Sequence, residues 1–274
     1  MTGSTGVRPA ATTSWLRRFT PTPDPLAAPV IVCPHAGAGA AAYRPLAEAL
    51  VRELEVSSPA DPAPADVVVA QYPGRQDRAS ESAPETVLGY AKGMLPEVEA
   101  MVRGEGGAAP RPVTLMGHSM GGLIVYEIAR LLEARRLPVR LLVVSGTNSP
   151  QFTAEVPDHP TEDEALLEHM ARINGTDPRI LGNQQILRMA LPVMKADYAA
   201  FDRYRDEDTT LLSAPILALG GASDGGVSPV SLRGWAERTS STSRVSVFQG
   251  DHFFITHATD AVARTIAGEV AACV

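Results

Sequence analysis

One decapeptide dictates how the middle of this 274-residue chain has to run: Val113-Thr-Leu-Met-Gly-His-Ser-Met-Gly-Gly122. It carries G-x-S-x-G, with Ser119 between Gly117 and Gly121. A strand-like run precedes it, and a helical pattern over Met120–Arg135 follows, with Leu123, Ile124, Ile128, Leu131 and Leu132 on one face. Joining the two at this spacing forces a sharp, strained turn. Glycines 117 and 121 have no side chains to clash there. Ser119 then projects from the end of a strand at a helix N-terminus, where backbone dipoles favour developing negative charge. A chance Gly-Ser-Gly turn would lack the flanking strand and helix.

Further strand candidates are Val30–Cys33, Val67–Gln71, Leu141–Ser145, Ile216–Leu219 and Val245–Phe248, beside Val113–Met116. Consecutive apolar, β-branched runs suit strands covered on both faces. Helical patterns at Tyr43–Glu53, Pro84–Val102, Pro229–Arg238 and Ala258–Ala271 fall between them. The alternation predicts an α/β fold with a mostly parallel central sheet flanked by helices. Residues 15–274 read as one domain, residues 1–14 as a mobile N-terminus, and Val56–Asp66 as a Pro/Ala-rich exposed loop.

Between Gly146 and Ser213 the alternation stops. Thr161 with Glu164 predicts a capping box, followed by Leu166, Leu167, Met170 and Ile173 at helical spacing and a stop at Gly175. Asn183 predicts the cap of a second helix with the face Ile186, Leu187, Leu191, Met194, Tyr198 and Phe201, kinked at Pro192. The span of about 147–212 reads as a helical insertion, a lid over the sheet.

Lys and Arg number 24 against 31 Asp and Glu, a formal charge of -7. That acidity argues against nucleic acid or an anionic membrane as partner. The two cysteines, Cys33 and Cys273, form no CxxC or Cys/His cluster, which argues against a disulfide framework or structural zinc. No segment has the length of a signal peptide core or a membrane span, so a cytoplasmic protein is expected. It is expected to be monomeric.

A nucleophilic serine needs a base. His252 follows a strand candidate directly, on the same rim as Ser119, whereas His159 and His169 lie in the insertion and His257 reads as the start of the last helix. An imidazole at 252 can take the Ser119 proton and later return one. The acid that orients it is predicted to be Asp224, on the loop after Ile216–Leu219. Asp251 is the rival, disfavoured because adjacent side chains on an extended loop diverge. The order Ser119, Asp224, His252 is that of an α/β-hydrolase. Two backbone N–H groups would complete an oxyanion hole: Met120, and Ala36 in Pro34-His-Ala-Gly-Ala-Gly39. A phosphate loop is the competing reading of that segment, but it holds neither GK[ST] nor GxGxxG.

These residues resemble the type II thioesterases, the stand-alone editing hydrolases of polyketide and non-ribosomal peptide synthetases. The matching pieces are Trp15-Leu-Arg-Arg-Phe19, Pro34-His-Ala-Gly37 with Tyr43-Arg-Pro-Leu46, Gln71-Tyr-Pro-Gly-Arg75 with Asp77-Arg78, Gly117–Gly122, Asp224 with Val227-Ser228, and Gly250-Asp-His-Phe-Phe254. The resemblance implies hydrolysis of acyl thioesters on the phosphopantetheine arm of acyl or peptidyl carrier proteins, beneath a mobile lid, with no metal or redox cofactor. Gln76, the Gly225-Gly226 pair and the 56–65 stretch depart from the family pattern, and the glycine pair implies a looser loop around Asp224. Carrier proteins are usually acidic, so Arg17, Arg18, Arg75 and Arg78 are candidates for a local basic patch, set against solvated surface arginines. An esterase or acyltransferase on the same fold, or a non-catalytic acyl-binding protein, are the alternatives.

Overall fold

A computed structural model describes residues 14–20, 27–57, 65–104, 109–153, 157–173 and 184–273. Its strands are β1 (Leu16–Arg18), β2 (Pro29–Cys33), β3 (Asp66–Ala70), β4 (Val113–His118), β5 (Val139–Ser145), β6 (Ile216–Gly221) and β7 (Ser243–Phe248). They form one sheet in the order β1-β3-β2-β4-β5-β6-β7. Among the described residues, only β1 is antiparallel to its neighbour. The helices are α1 (Arg44–Ser57), α2 (Val87–Arg103), α3 (Met120–Glu133), α4 (Pro150–Thr153), α5 (Asp163–Arg172), α6 (Gln184–Asp202), α7 (Pro229–Arg233), α8 (Phe254–His257) and α9 (Thr259–Ala272).

Strand alternation divides the core into two layers. Ile31, Val68, Leu115 and Val144 face α2 and α3, where Tyr90, Met94, Leu123 and Ile124 are buried. Val30, Val69, Met116 and Val143 face α1 and α9, where Leu46, Leu50, Val262 and Ile266 are buried. Covering β2 to β6 on both faces is what makes their sequences continuously apolar.

The sequence reading missed β1. It has three residues, two of them arginine, on the edge of the sheet, where charge discourages pairing with another chain. Arg18 makes a bidentate pair with Asp66 at 2.8 and 2.7 Å. Other differences are local. The Thr161 capping box does not form: α5 starts at Asp163, with Glu162 at its cap and no side-chain cap bond. Asp163 and Glu164 occupy the first turn instead, which favours them beside the positive helix end. The Pro229–Arg238 pattern is α7 followed by a 3₁₀ turn over Gly234–Arg238. His257 ends α8 rather than opening the last helix, because Ala258 (φ −109°, ψ 28°) breaks the two apart.

Among the described residues, the segment between β5 and β6 carries the helices α4, α5 and α6 and no strand. Leu166 and Met170 of α5 pack on Leu191, Met194 and Tyr198 of α6, as the spacing predicts. Helix α6 continues past Pro192. Near the return to the sheet, the Tyr204 hydroxyl donates to Glu127 of α3 at 2.8 Å. The expected stop at Gly175, the cap at Asn183, the side chains of Ile186 and Leu187, and residues 1–13 and 58–64 lie outside the described residues. No helix among those described is long and apolar enough to cross a membrane.

Candidate active site

Every predicted site residue lies just beyond the C-terminal end of a parallel strand. Ala36 follows β2, Ser119 and Met120 follow β4, Asp224 follows β6 and His252 follows β7. Sheets of this kind collect functional groups along that rim.

Ser119 adopts φ 54° and ψ −123°, a conformation few non-glycine residues tolerate. Its hydroxyl makes no cap bond to α3, so nothing in the helix end occupies it. The turn needs both flanking glycines. A Cβ on Gly117 would stand 2.0 Å from the Gly121 carbonyl oxygen, and one on Gly121 would stand 2.1 Å from the Cys33 carbonyl oxygen. The Ser119 N–H donates to the Ser145 carbonyl at 2.8 Å, and the Thr147 hydroxyl donates to the Ser119 carbonyl at 2.8 Å. The end of β5 therefore braces the turn from the side.

His252 Nδ1 and Asp224 Oδ2 are 2.8 Å apart, and the Asp224 side chain is 2% exposed. Nδ1 is thus engaged, and Nε2 is the nitrogen left to exchange a proton. Asp251 turns elsewhere: its Oδ1 accepts the Phe253 N–H at 2.8 Å. On the other oxygen, the Gly226 N–H of the glycine pair donates to Asp224 Oδ1 at 2.9 Å. The imidazole of His252 reaches over Gly146, whose absent Cβ would lie 3.3 Å from His252 Cε1 and 2.8 Å from His118 Cε1. Gly146 (φ 55°) and Thr147 were missed from the sequence. A glycine directly after Val-Val-Ser at a strand end was the available signal.

Two further imidazoles pack behind His252. His118 is buried with its centroid 5.1 Å from that of His252, and its Nδ1 lies 3.0 Å from the Ser145 hydroxyl. His35 Nδ1 lies 2.7 Å from the Tyr43 hydroxyl, and the ring meets Phe253 edge-on. Burial, then the charges of His252 and Arg75, push the His35 pKa down to about 3. Burial, then His252 and His35, hold His118 well below the usual histidine range. Both rings are therefore neutral at pH 7. Burial also pushes the Cys33 thiol up to about 12, so it is no rival nucleophile.

The depressed pKa of His35 has a measurable consequence. The folded pKa of His35 lies below the unfolded value of about 6.5, so the unfolded chain takes the proton first on acidification. The contribution to stability is complete above pH 6.5 and is lost as pH falls towards 3. At pH 5 the loss is about 2 kcal/mol for this one group. In urea titrations at pH 7.5 and pH 5, His35→Asn should lose less stability between the two conditions than the unaltered chain does. Equal losses would contradict the assignment of a neutral His35 ring.

His159 and His169 stand apart from this cluster, in the insertion. His159 Nδ1 pairs with Asp202 at 2.6 Å, and its ring stacks on Tyr198 at 3.9 Å. The four arginines weighed as a basic patch against solvated surface residues are each paired with a carboxylate. Arg17 pairs with Asp77 at 2.6 Å, and Arg18 pairs with Asp66. Arg78 is buried, pairs with Glu81 at 2.5 Å and lies over the Trp15 ring at 4.3 Å. Arg75 is buried against Asp197 of α6. Arg75 and Arg78 are buried, whereas Arg18 stays exposed; the tertiary partners that bury Arg75 and Arg78 are not evident from the local pattern. Asp197 was missed as well; an acid beside the apolar face Leu191, Met194, Tyr198 and Phe201 was its signal.

A strained serine turn after a central parallel strand, with an Asp–His pair on the same rim, defines an α/β-hydrolase. The chain belongs to the thioesterase domain family, which matches residues 28–269. It is 36% identical over 256 residues to the phenyloxazoline synthase MbtB of Mycobacterium tuberculosis, a match that covers 93% of this chain and 17% of that protein's length. It is 32% identical over 243 residues to the thioesterase PikA5 of Streptomyces venezuelae, covering 88% of this chain and 80% of that one. Among solved structures, the type II thioesterase BorB from the borrelidin biosynthetic cluster superposes with a TM-score of 0.77 at 33% identity, covering 95% of this chain and 100% of BorB. The type II thioesterase likeness read from the motifs agrees with that match.

Proposed function

We infer that this chain is a serine thioesterase of the editing type. It hydrolyses acyl groups from the phosphopantetheine arm of acyl or peptidyl carrier proteins in polyketide or non-ribosomal peptide biosynthesis. The observation that carries the reading is the 2.8 Å Asp224–His252 pair on the rim that bears the strained Ser119, in a chain of the thioesterase family. The biosynthetic setting is supported by the BorB likeness.

In this reading Ser119 Oγ attacks the thioester carbonyl carbon and its proton passes to His252 Nε2. The N–H groups of Ala36 and Met120 hold the tetrahedral oxyanion. The Ala36 N–H suits this role, since no acceptor for it is found among the described residues. Collapse breaks the C–S bond, and the imidazolium returns its proton to the leaving pantetheine thiolate. Water then attacks the acyl-serine, giving one proton to His252, and the acid leaves as Ser119 regains its hydrogen. Asp224 keeps the His252 Nδ1 proton in place and stabilises the imidazolium. The chemistry calls on no metal or redox cofactor.

The domain reads as residues 15–274 with the insertion of about 147–212 as a lid over the acyl pocket. A cytoplasmic setting accords with two free thiols, Cys33 and Cys273. Turnover of an acyl panel on carrier protein, on free pantetheine and as matched oxygen esters tests the substrate class. Thioesters on carrier protein should give the highest kcat/KM. Faster turnover of oxygen esters, or transfer to an added alcohol in preference to water, would favour the esterase or acyltransferase alternative. No turnover of any acyl donor would leave an acyl-binding protein.

A further inference from the structure

The loop after β2 is held by partners spread across the chain. The Tyr72 hydroxyl donates to the Pro34 carbonyl at 3.0 Å, and the His35 N–H donates to the Tyr43 hydroxyl at 3.2 Å. The Ala38 N–H donates to the His35 carbonyl at 3.2 Å, and Arg75 Nη1 donates to the Ala38 carbonyl at 3.1 Å. The remaining clamp comes from the insertion. The Gly37 N–H donates to Asp197 Oδ2 at 2.7 Å. Asp197 is 0% exposed, accepts two hydrogen bonds from Arg75 at 2.7 and 2.8 Å, and accepts the Tyr90 hydroxyl at 2.5 Å. Helix α6 also presses on the loop directly, because a Cβ on Gly37 would stand 2.4 Å from Met194 Cε.

We propose that Asp197, itself fixed by Arg75, is a positioning residue for the oxyanion hole. Its Oδ2 locks the Ala36–Gly37 peptide, which is adjacent to the peptide that carries the Ala36 N–H. Gly37 has φ 79°, so without that bond the torsions on either side of the peptide would be free to redistribute. The Ala36 N–H would then lose its aim at the reacting oxygen. The carboxylate also makes α6 and the oxyanion loop one mechanical unit, so that half of the insertion is part of the catalytic scaffold. This inference rests on Ala36 as an oxyanion donor.

A buried ion pair whose partner is deleted leaves an unpaired charge, so single substitutions confuse folding with positioning. The test therefore starts from Arg75→Met, in which the guanidinium is gone, and compares Asp197→Asn with Asp197→Leu. Asparagine keeps an acceptor oxygen for the Gly37 N–H; leucine has none. The readouts are kcat and KM for an acyl-pantetheine thioester, per site titrated with a serine-directed phosphonate, and the affinity of an alkyl boronic acid that forms a tetrahedral anion on Ser119. The Arg75→Met/Asp197→Leu chain should lose about a hundredfold in kcat and a like factor in boronate affinity, with KM changed by less than about threefold. The Arg75→Met/Asp197→Asn chain should stay within about tenfold of the unaltered enzyme.

Equal kcat per titrated site in the two double variants would overturn the proposal. If the leucine variant fails to fold, replacing Gly37 with glycolic acid removes only the N–H and should reproduce the kcat loss. An unchanged kcat there would overturn the proposal equally. Failure of the underlying reading shows separately, as turnover that survives Ser119→Ala.

Discussion

Ser119→Ala should lower acyl-thioester hydrolysis by about ten-thousandfold or more, leaving the background that binding and the oxyanion hole supply without a nucleophile. The loss should fall on kcat, because the methyl group of alanine leaves the acyl pocket and the pantetheine path unchanged. Folding should survive. The Ser119 hydroxyl caps nothing in α3, and the backbone bonds that hold the turn, Ser119 N–H to Ser145 and Thr147 to the Ser119 carbonyl, do not involve it. A thermal midpoint close to that of the unaltered chain, with turnover gone, is the pattern to look for. Turnover within tenfold of normal would remove Ser119 from the chemistry.

Asp224→Asn should be nearly as damaging, for a subtler reason. The carboxylate accepts at both oxygens, from Gly226 N–H through Oδ1 and from His252 through Oδ2. An asparagine has one acceptor. If its oxygen stays with Gly226, its NH₂ group faces His252 Nδ1 and donates to it. The imidazole proton then moves to Nε2, the nitrogen that has to take the Ser119 proton. By comparison with serine protease triads, that wrong tautomer costs about ten-thousandfold in kcat with little change in KM. Asp251→Asn is the control. Its carboxylate accepts the Phe253 N–H, so the substitution should cost less than about tenfold. Single-turnover rates of both variants decide between them, and a larger loss at 251 would reverse the assignment.

Strands β2 to β6 were legible because being covered on both faces leaves an apolar run, as in Val67-Val-Val69, and half-exposed β7 because Val245, Val247 and Phe248 are strand formers. Strand β1 was not, since three residues at an edge carry no such pattern. The rim residues were legible because each follows a recognisable strand, and strand direction alone puts them on one side. What surrounds them was not. Arg75 and Asp197 are 122 positions apart, and nothing in Gln71-Tyr-Pro-Gly-Arg75 announces that its arginine is buried. The same holds for Arg78, whose guanidinium lies over Trp15. Local patterns give periodicity and turns; they do not report which charges a tertiary contact will desolvate.

Labelling with a fluorophosphonate joins nucleophile, base and oxyanion hole in a single readout. Peptide mapping should find one adduct, on Ser119, and residual hydrolysis of acyl-pantetheine should fall in step with the fraction labelled. His252→Ala should label far more slowly. An adduct on another residue, or full thioester turnover by protein whose Ser119 is completely modified, would contradict the mechanism.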